Sequence, residues 1–323
     1  MDPEQQRVWD QHDQDARHQR RPRPHGAGSS HPHREQLDLF RALPSDHMAP
    51  RDAQDLMAFP FFSLAKTPRI QPIDFHSGGV TVRVEGTLEH GIATIWDADI
   101  LIWAASQIVE ARDAGIRTSR LMQATPYEIL TFIGRGTSVR DYQRLKAALD
   151  RLQSTSVATS IRETTGRRLH RFSWINEWKE RAGPDGRSLG IELILPDWFY
   201  AGVMDEALVL TIDPAYFSLM GGIERWAYRL IRKHGGRQRA GWQFSFRHLY
   251  LKSGSMARFS DFACDIRRLA ARQSLPGYVL RVVREADATE TLCFRPVPFT
   301  ARRSARSIVH APLRAGGQAR EKL

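Results

Sequence analysis

One pattern occurs twice in this chain, about 120 residues apart, and few folds can accommodate it: a short capped helix, a turn, an amphipathic Arg-studded helix, then two strand-like segments. In the first copy Thr125-Pro126-Tyr127-Glu128 reads as a capping box, with a Thr N-cap, Pro at the first helical position and Glu at the third. Gly134-Arg135-Gly136 ends that helix, and Ser138-Val139-Arg140-Asp141 caps a longer one. Its apolar positions Tyr142, Leu145, Ala148, Leu149 and Leu152 follow the helical period and form one stripe. Ser156 to Arg162 and Arg168 to Trp178 then alternate as paired strands around Glu163-Thr164-Thr165-Gly166-Arg167, the expected wing.

The second copy keeps the order with different residues. Phe244 to Leu251 is the short helix, Lys252-Ser253-Gly254-Ser255 the turn, and Phe259, Phe262, Ile266, Leu269 and Ala270 the stripe of a helix from Ala257 to Arg272. Tyr278 to Arg284 and Thr291 to Val297, joined through Asp287-Ala288-Thr289, form the second hairpin. The spacing predicts an α+β fold of two tandem winged-helix domains, with a disordered N-terminal arm and a basic C-terminal tail.

Both long helices turn a basic face away from their apolar stripe. Arg140, Gln143, Arg144 and Arg151 project together on the first, and Arg267, Arg268 and Arg272 on the second. Arg against guanine and Gln against adenine are the pairings that major-groove geometry favours, so these faces are candidate base readers. Arg162, Arg167, Arg281 and Arg284, on the expected wings, are candidate phosphate contacts. Recurrence in one order is what lifts this above two ordinary solvated helices.

The chain has 323 residues, 41% of them hydrophobic, enough for two packed domains, and a formal net charge of +11, which suits a polyanionic partner. The first 35 residues are close to neutral. Arg302, Arg303, Arg306, Arg314, Arg320 and Lys322 face Glu321 alone near the C-terminus. No apolar run approaches a membrane span and no signal-like start is present, so a cytoplasmic protein, nucleoid or plasmid associated, is expected. Cys264 and Cys293 lie far apart without ligand spacing, which leaves disulfide frameworks and zinc fingers unsupported.

Four segments follow: an arm over 1–57, a first domain over 58–210, a second over 211–298 and a basic tail over 299–323. The arm is rich in Gln, Arg, His, Pro and Asp and has little to bury. Inside it stands Gln36-Leu37-Asp38-Leu39-Phe40, which resembles the Gln-Leu-Ser/Asp-Leu-Phe pentapeptide by which bacterial replication proteins dock on the sliding clamp. That resemblance implies Leu39 and Phe40 in an apolar pocket, Leu37 on its rim and Gln36 bonded to backbone.

Catalytic signatures are missing from the sequence. Gly134-Arg135-Gly136-Thr137-Ser138 lacks the Lys of a Walker loop, neither Ser255 nor Thr165 has a triad around it, and no tyrosine is set among His residues as a strand-nicking tyrosine would be. Asp97 and Asp99 look like a metal pair, but Asp97 reads more simply as the N-cap of a helix from Ala98 to Arg112. No enzymatic activity, cofactor or metal is expected.

With these features together, the chain resembles the plasmid replication initiator protein A family. The resemblance is carried by Phe61 to Lys66, Gly91 to Leu101, Tyr142 to Leu152, Trp198-Phe199-Tyr200 after Pro196, and Glu224 to Arg229, and runs from Phe59 to Pro298. It implies binding to repeated origin sequences, called iterons, melting of the neighbouring AT-rich duplex, recruitment of the host helicase and initiator, and autorepression as a homodimer. The competing expectation is a winged-helix transcriptional regulator, which has no use for a clamp-docking peptide.

Overall fold

The computed structural model describes residues 38–45, 47–163, 169–184, 188–236, 238 and 240–297. Residues 1–37 of the arm, Gln36 and Leu37 among them, Arg167 and the basic tail lie outside these residues. In chain order the elements are β1 (Phe40–Arg41), β2 (Arg51–Ala53), α1 (Gln54–Ala58), β3 (Ile73–Ser77), β4 (Val80–Glu85), α2 (Ala98–Asp113), β5 (Leu121–Ala124), α3 (Pro126–Phe132) and α4 (Val139–Ser154). There follow β6 (Ser156–Thr159), β7 (His170–Ser173), β8 (Glu177–Ala182), β9 (Ser188–Ile194), α5 (Asp197–Met204) and β10 (Val209–Thr211). The last stretch holds α6 (Gly222–Gly235), β11 (Trp242–Ser245), α7 (Phe246–Ser253), α8 (Phe259–Arg272), β12 (Tyr278–Arg284) and β13 (Glu290–Pro296). The fold is mixed α/β with two hydrophobic cores. One gathers side chains from Phe40 to Val203, the other from Ile212 to Phe294 together with Met57 and Ile102.

The helices form for the reasons their sequences announce. Thr125 Oγ1 accepts from the Glu128 N–H while Glu128 accepts from Thr125, and Ser138 and Asp141 repeat that exchange at the start of α4. Leu145, Ala148, Leu149 and Leu152 are buried, as are Phe262, Ala263, Ile266, Leu269 and Ala270 of α8. The short second-half helix starts later than expected. Ser245 accepts from the His248 N–H and so caps it, which leaves Phe244 in β11.

The expected pairing of the Ser156 and Arg168 segments forms, as β6 against β7, but strand order gives the place of the wing to another hairpin. In the second half the sheet order is β11-β13-β12, and in the first half β9 lies between β5 and β8 in the same way. Helix, strand, short helix, long helix and hairpin thus recur as α2, β5, α3, α4, β8-β9 and as α6, β11, α7, α8, β12-β13. The hairpin equivalent to β12-β13 is β8-β9, and not the segment from Ser156 to Trp178. Strand β6, besides its expected partner β7, pairs with β4 in the sheet β3-β4-β6-β7, with Val157 between Val84 and Phe172.

The expected start of order at 58 is also too late. β1 runs parallel to β5, with Phe40 opposite Met122, and β2 pairs with β10. The 57/58 boundary therefore cuts α1.

The two halves are joined by buried charge. Arg225 Nη1 on α6 lies 2.8 and 2.9 Å from the two carboxylate oxygens of Asp99 on α2, which also accepts from Arg135 at 2.9 Å. One turn further along α6, Arg229 grips Asp52 of β2 at 2.6 and 2.9 Å. Burial, the largest influence, raises the Asp99 pKa even though both arginines pull it down. For Arg229 burial is the largest influence and works against the charge, but Asp52, Tyr216 and Asp99 together outweigh it and the pKa is raised. The turn between α7 and α8 is held too: Lys252 sits 4.7 Å over the Phe59 ring, and Arg69 donates to the Gly254 carbonyl at 2.5 Å. Gly254 has φ +60°, and a Cβ there would come within 2.9 Å of Pro60.

Candidate nucleic-acid interface

On α4 the outward face divides along its length. Arg140, Gln143 and Arg144 in the N-terminal half are exposed, and Arg144 makes one long contact of 3.5 Å to Asp141. The C-terminal half is tied to the protein. Asp150 accepts from Trp178 Nε1 at 3.1 Å and Lys146 pairs with Glu180 at 2.8 Å, so β8 lies along this side of the helix. Arg151, expected on the basic face, donates through Nε and Nη2 to both oxygens of Asp97 at 2.8 and 2.7 Å. That hydrogen bonding, more than any other influence, raises the Arg151 pKa.

Arg151 is thereby removed from the reading face. It shares the angular sector of Arg140 and Arg144, but at its end of α4 that sector meets the start of α2. Asp97 differs from expectation for the same reason. Its carboxylate makes no cap bond to α2 and accepts instead from Arg151 and, at 2.7 and 3.0 Å, from the Thr94 N–H and hydroxyl.

On α8 every arginine of the predicted face has an acidic neighbour. Arg267 donates to both oxygens of Glu290 on β13 at 2.9 and 2.7 Å, Arg268 lies 3.3 Å from Asp265, and Arg272 lies 3.8 Å from Glu224 of α6. The hydrogen bonds between Arg267 and Glu290 raise the arginine's pKa and hold the carboxyl below the usual range. All three guanidiniums are at least half exposed. Arg281 and Arg284 of β12 are exposed, opposite Cys293 and Glu290.

Two other predictions are corrected. Arg162, read as a wing residue, turns inward: it donates to Asp55 at 2.8 Å and to the Trp198 carbonyl at 2.5 Å, with its guanidinium 4.0 Å over the Trp198 ring. A residue so enclosed holds the core and has no reach to a phosphate. In the clamp-like pentapeptide, Phe40 is 4% exposed within the first core, Leu39 is 42% exposed, and Asp38 pairs with Arg117 at 2.8 Å. The two side chains meant for one external pocket are split between core and solvent, so Phe40 is not free to dock elsewhere. The pairing of Phe40 and Arg41 with the protein's own β5 accounts for Phe40 without a partner, while Leu37 lies outside the described residues.

Sequence reasoning passed over the cations of β8. Lys179 and Arg181 stand on the outer strand of the first hairpin, both within reach of Glu192, at 3.3 and 3.4 Å. The signal for them was Ala182-Gly183-Pro184-Asp185-Gly186, a tight turn between alternating segments. Among the described residues no three His, Cys, Asp or Glu side chains gather as a metal site requires, and no helix is long and apolar enough to cross a membrane.

The sequence profile of replication initiator protein A matches residues 51–280. The chain belongs to the replication initiator protein A family. The matched region opens in β2 and closes in β12, so it contains the buried junction and all four helices of the two repeated helix pairs. A curated relative, a protein of Wigglesworthia glossinidia brevipalpis that carries a replication-protein name, is 33% identical over 230 residues, 70% of this chain and 82% of the relative. Among solved structures, a crystal structure of domains 2 and 3 of RctB covers 75% of this chain and 98% of its own, with TM-score 0.54 at 15% identity. A second RctB domains 2–3 structure covers 79% and 100%, with TM-score 0.50 at 15% identity. At that identity the likeness is one of fold. For this replication initiator protein A family member it extends across both halves, because three quarters of the chain superposes on a two-domain fragment.

Proposed function

We propose that this family member initiates plasmid replication by binding repeated origin sequences through two winged-helix units. Each unit places its long helix, α4 or α8, in a major groove with its hairpin beside it. The observation that carries this reading is the repeated sheet order, β5-β9-β8 and β11-β13-β12, with a solvent-facing basic helix in the same place before each hairpin. Arg140, Gln143 and Arg144 read one groove and Arg267, Arg268 and Arg272 the next, while Arg281, Arg284, Lys179 and Arg181 approach phosphates. The buried Arg225–Asp99 and Arg229–Asp52 pairs make the two readers one body, which suits a site of fixed spacing.

The protein acts as a binding platform and not as a catalyst: it deforms the origin, brings in the host helicase and initiator, and represses its own gene as a homodimer. The test is replication in trans. The gene supplied from a second replicon should sustain a plasmid carrying only the candidate origin, and should fail to do so with Arg140→Ala and Arg144→Ala combined. Failure of the intact gene, with the protein present and folded, would overturn the reading.

A further inference from the structure

The two basic helices are electrostatically unlike. On α4, Arg140 has no acidic partner among the described residues and Arg144 has only the 3.5 Å contact to Asp141. On α8, Arg267 donates twice to Glu290 of β13 at 2.9 and 2.7 Å, Arg268 lies 3.3 Å from Asp265 of α8 itself, and Arg272 lies 3.8 Å from Glu224 of α6. Exposed pairs of this kind contribute little to stability, so their recurrence on one face calls for another explanation.

We propose that Glu290, Asp265 and Glu224 are specificity determinants of the second reader: they neutralise the α8 arginines until a matching DNA sequence draws those arginines away. This rests on the reading of α8 as a DNA-contacting helix. Binding to arbitrary DNA comes almost entirely from phosphate neutralisation with release of counterions. An arginine already neutralised by a carboxylate releases fewer ions and repays less when it meets a phosphate. A guanine edge offers two acceptors in the fork geometry of the guanidinium, so it can replace both bonds that Arg267 makes to Glu290 and gives Arg268 and Arg272 more than their carboxylates do. The shield therefore taxes nonspecific contacts more than specific ones. The exchange is feasible because each guanidinium is half exposed or more, within reach of an incoming base edge. Binding to arbitrary duplex then draws more on Arg140 and Arg144 than on the shielded arginines of α8, which add their full contribution only on the matching sequence.

The experiment compares the full chain with Glu290→Gln, Asp265→Asn and Glu224→Gln, singly and together. Gln at 224 can still accept the Gly221 N–H that Glu224 caps at 3.1 Å, so α6 keeps its start. Affinity is measured across a salt series for a duplex of arbitrary sequence and for the origin repeat, with circular dichroism as the folding control. The triple variant should bind arbitrary duplex at least tenfold more tightly, with a salt slope steeper by about one per freed arginine, while origin affinity rises less. Unchanged arbitrary-sequence affinity and slope, or an equal rise on both duplexes, would overturn the proposal. If the unmodified chain fails to prefer the origin repeat at all, it is the DNA-binding reading that falls.

Discussion

Nη1 of Arg225 on α6 donates to both carboxylate oxygens of Asp99 on α2, at 2.8 and 2.9 Å, with both side chains almost wholly out of water. A buried pair of this kind is costly to assemble and costlier to break, because the surviving partner keeps its charge without compensation. Asp99→Ala should therefore destabilise the protein by about 3 to 5 kcal/mol. Urea denaturation followed by tryptophan fluorescence checks this. A loss within about 0.5 kcal/mol, the range of ordinary surface substitutions, would mean that the junction does not hold the units together.

Arg151 and Arg144 lie on one side of α4 but have different duties. Arg151→Ala should cost about 1.5 to 3 kcal/mol of stability, the worth of hydrogen bonds between charged groups. Arg144→Ala should leave the melting temperature unchanged and weaken origin binding by about 1 to 3 kcal/mol. Calorimetry paired with fluorescence anisotropy on both variants separates the two roles.

Phe40→Ala should cost about 3 to 5 kcal/mol, as for other buried aromatic truncations, because its ring lies in the first core. Leu39→Ala, one residue earlier and 42% exposed, should change stability by well under 1 kcal/mol. Equal and small effects in chemical denaturation would instead mark the whole pentapeptide as a free linear motif.

Two carboxyls on the proposed interface set an acid limit. Hydrogen bonds from Ser138 hold the Asp141 carboxyl below its usual range, and those from Arg267 do the same for Glu290. Both folded-state values are depressed, so the stability they contribute is full above the unfolded value near pH 4 and is lost as pH falls through the lowered ones. Because the pair is exposed, thermal melts of Glu290→Gln and wild type should differ only slightly at pH 7, and that difference should vanish towards pH 3.

Much of this was legible in the residues themselves. Caps such as Thr125 with Glu128 and Ser138 with Asp141, and stripes such as Leu145 to Leu152, act over a few residues and announce their helices. Sheet membership is not local: Ser156–Thr159 and Glu177–Ala182 alternate equally well, and only distant partners in β4 and β5 decide which hairpin joins the sheet of β5. The basic faces were legible as angular sectors, yet a sector does not say what it meets at each end of the helix, hence Arg151. Nor does charge announce burial. Asp52 and Arg229 lie 177 residues apart and read separately as surface groups.

Hydroxyl-radical footprinting of the origin repeat tests the two-reader geometry most directly. The unmodified protein should protect two patches in successive major grooves, centred about 10 base pairs apart. Arg144→Ala should erase one patch and Arg268→Ala the other. Protection that survives both substitutions unchanged, or a single patch lost equally with either, would contradict DNA reading by α4 and α8 as separate elements of one rigid body.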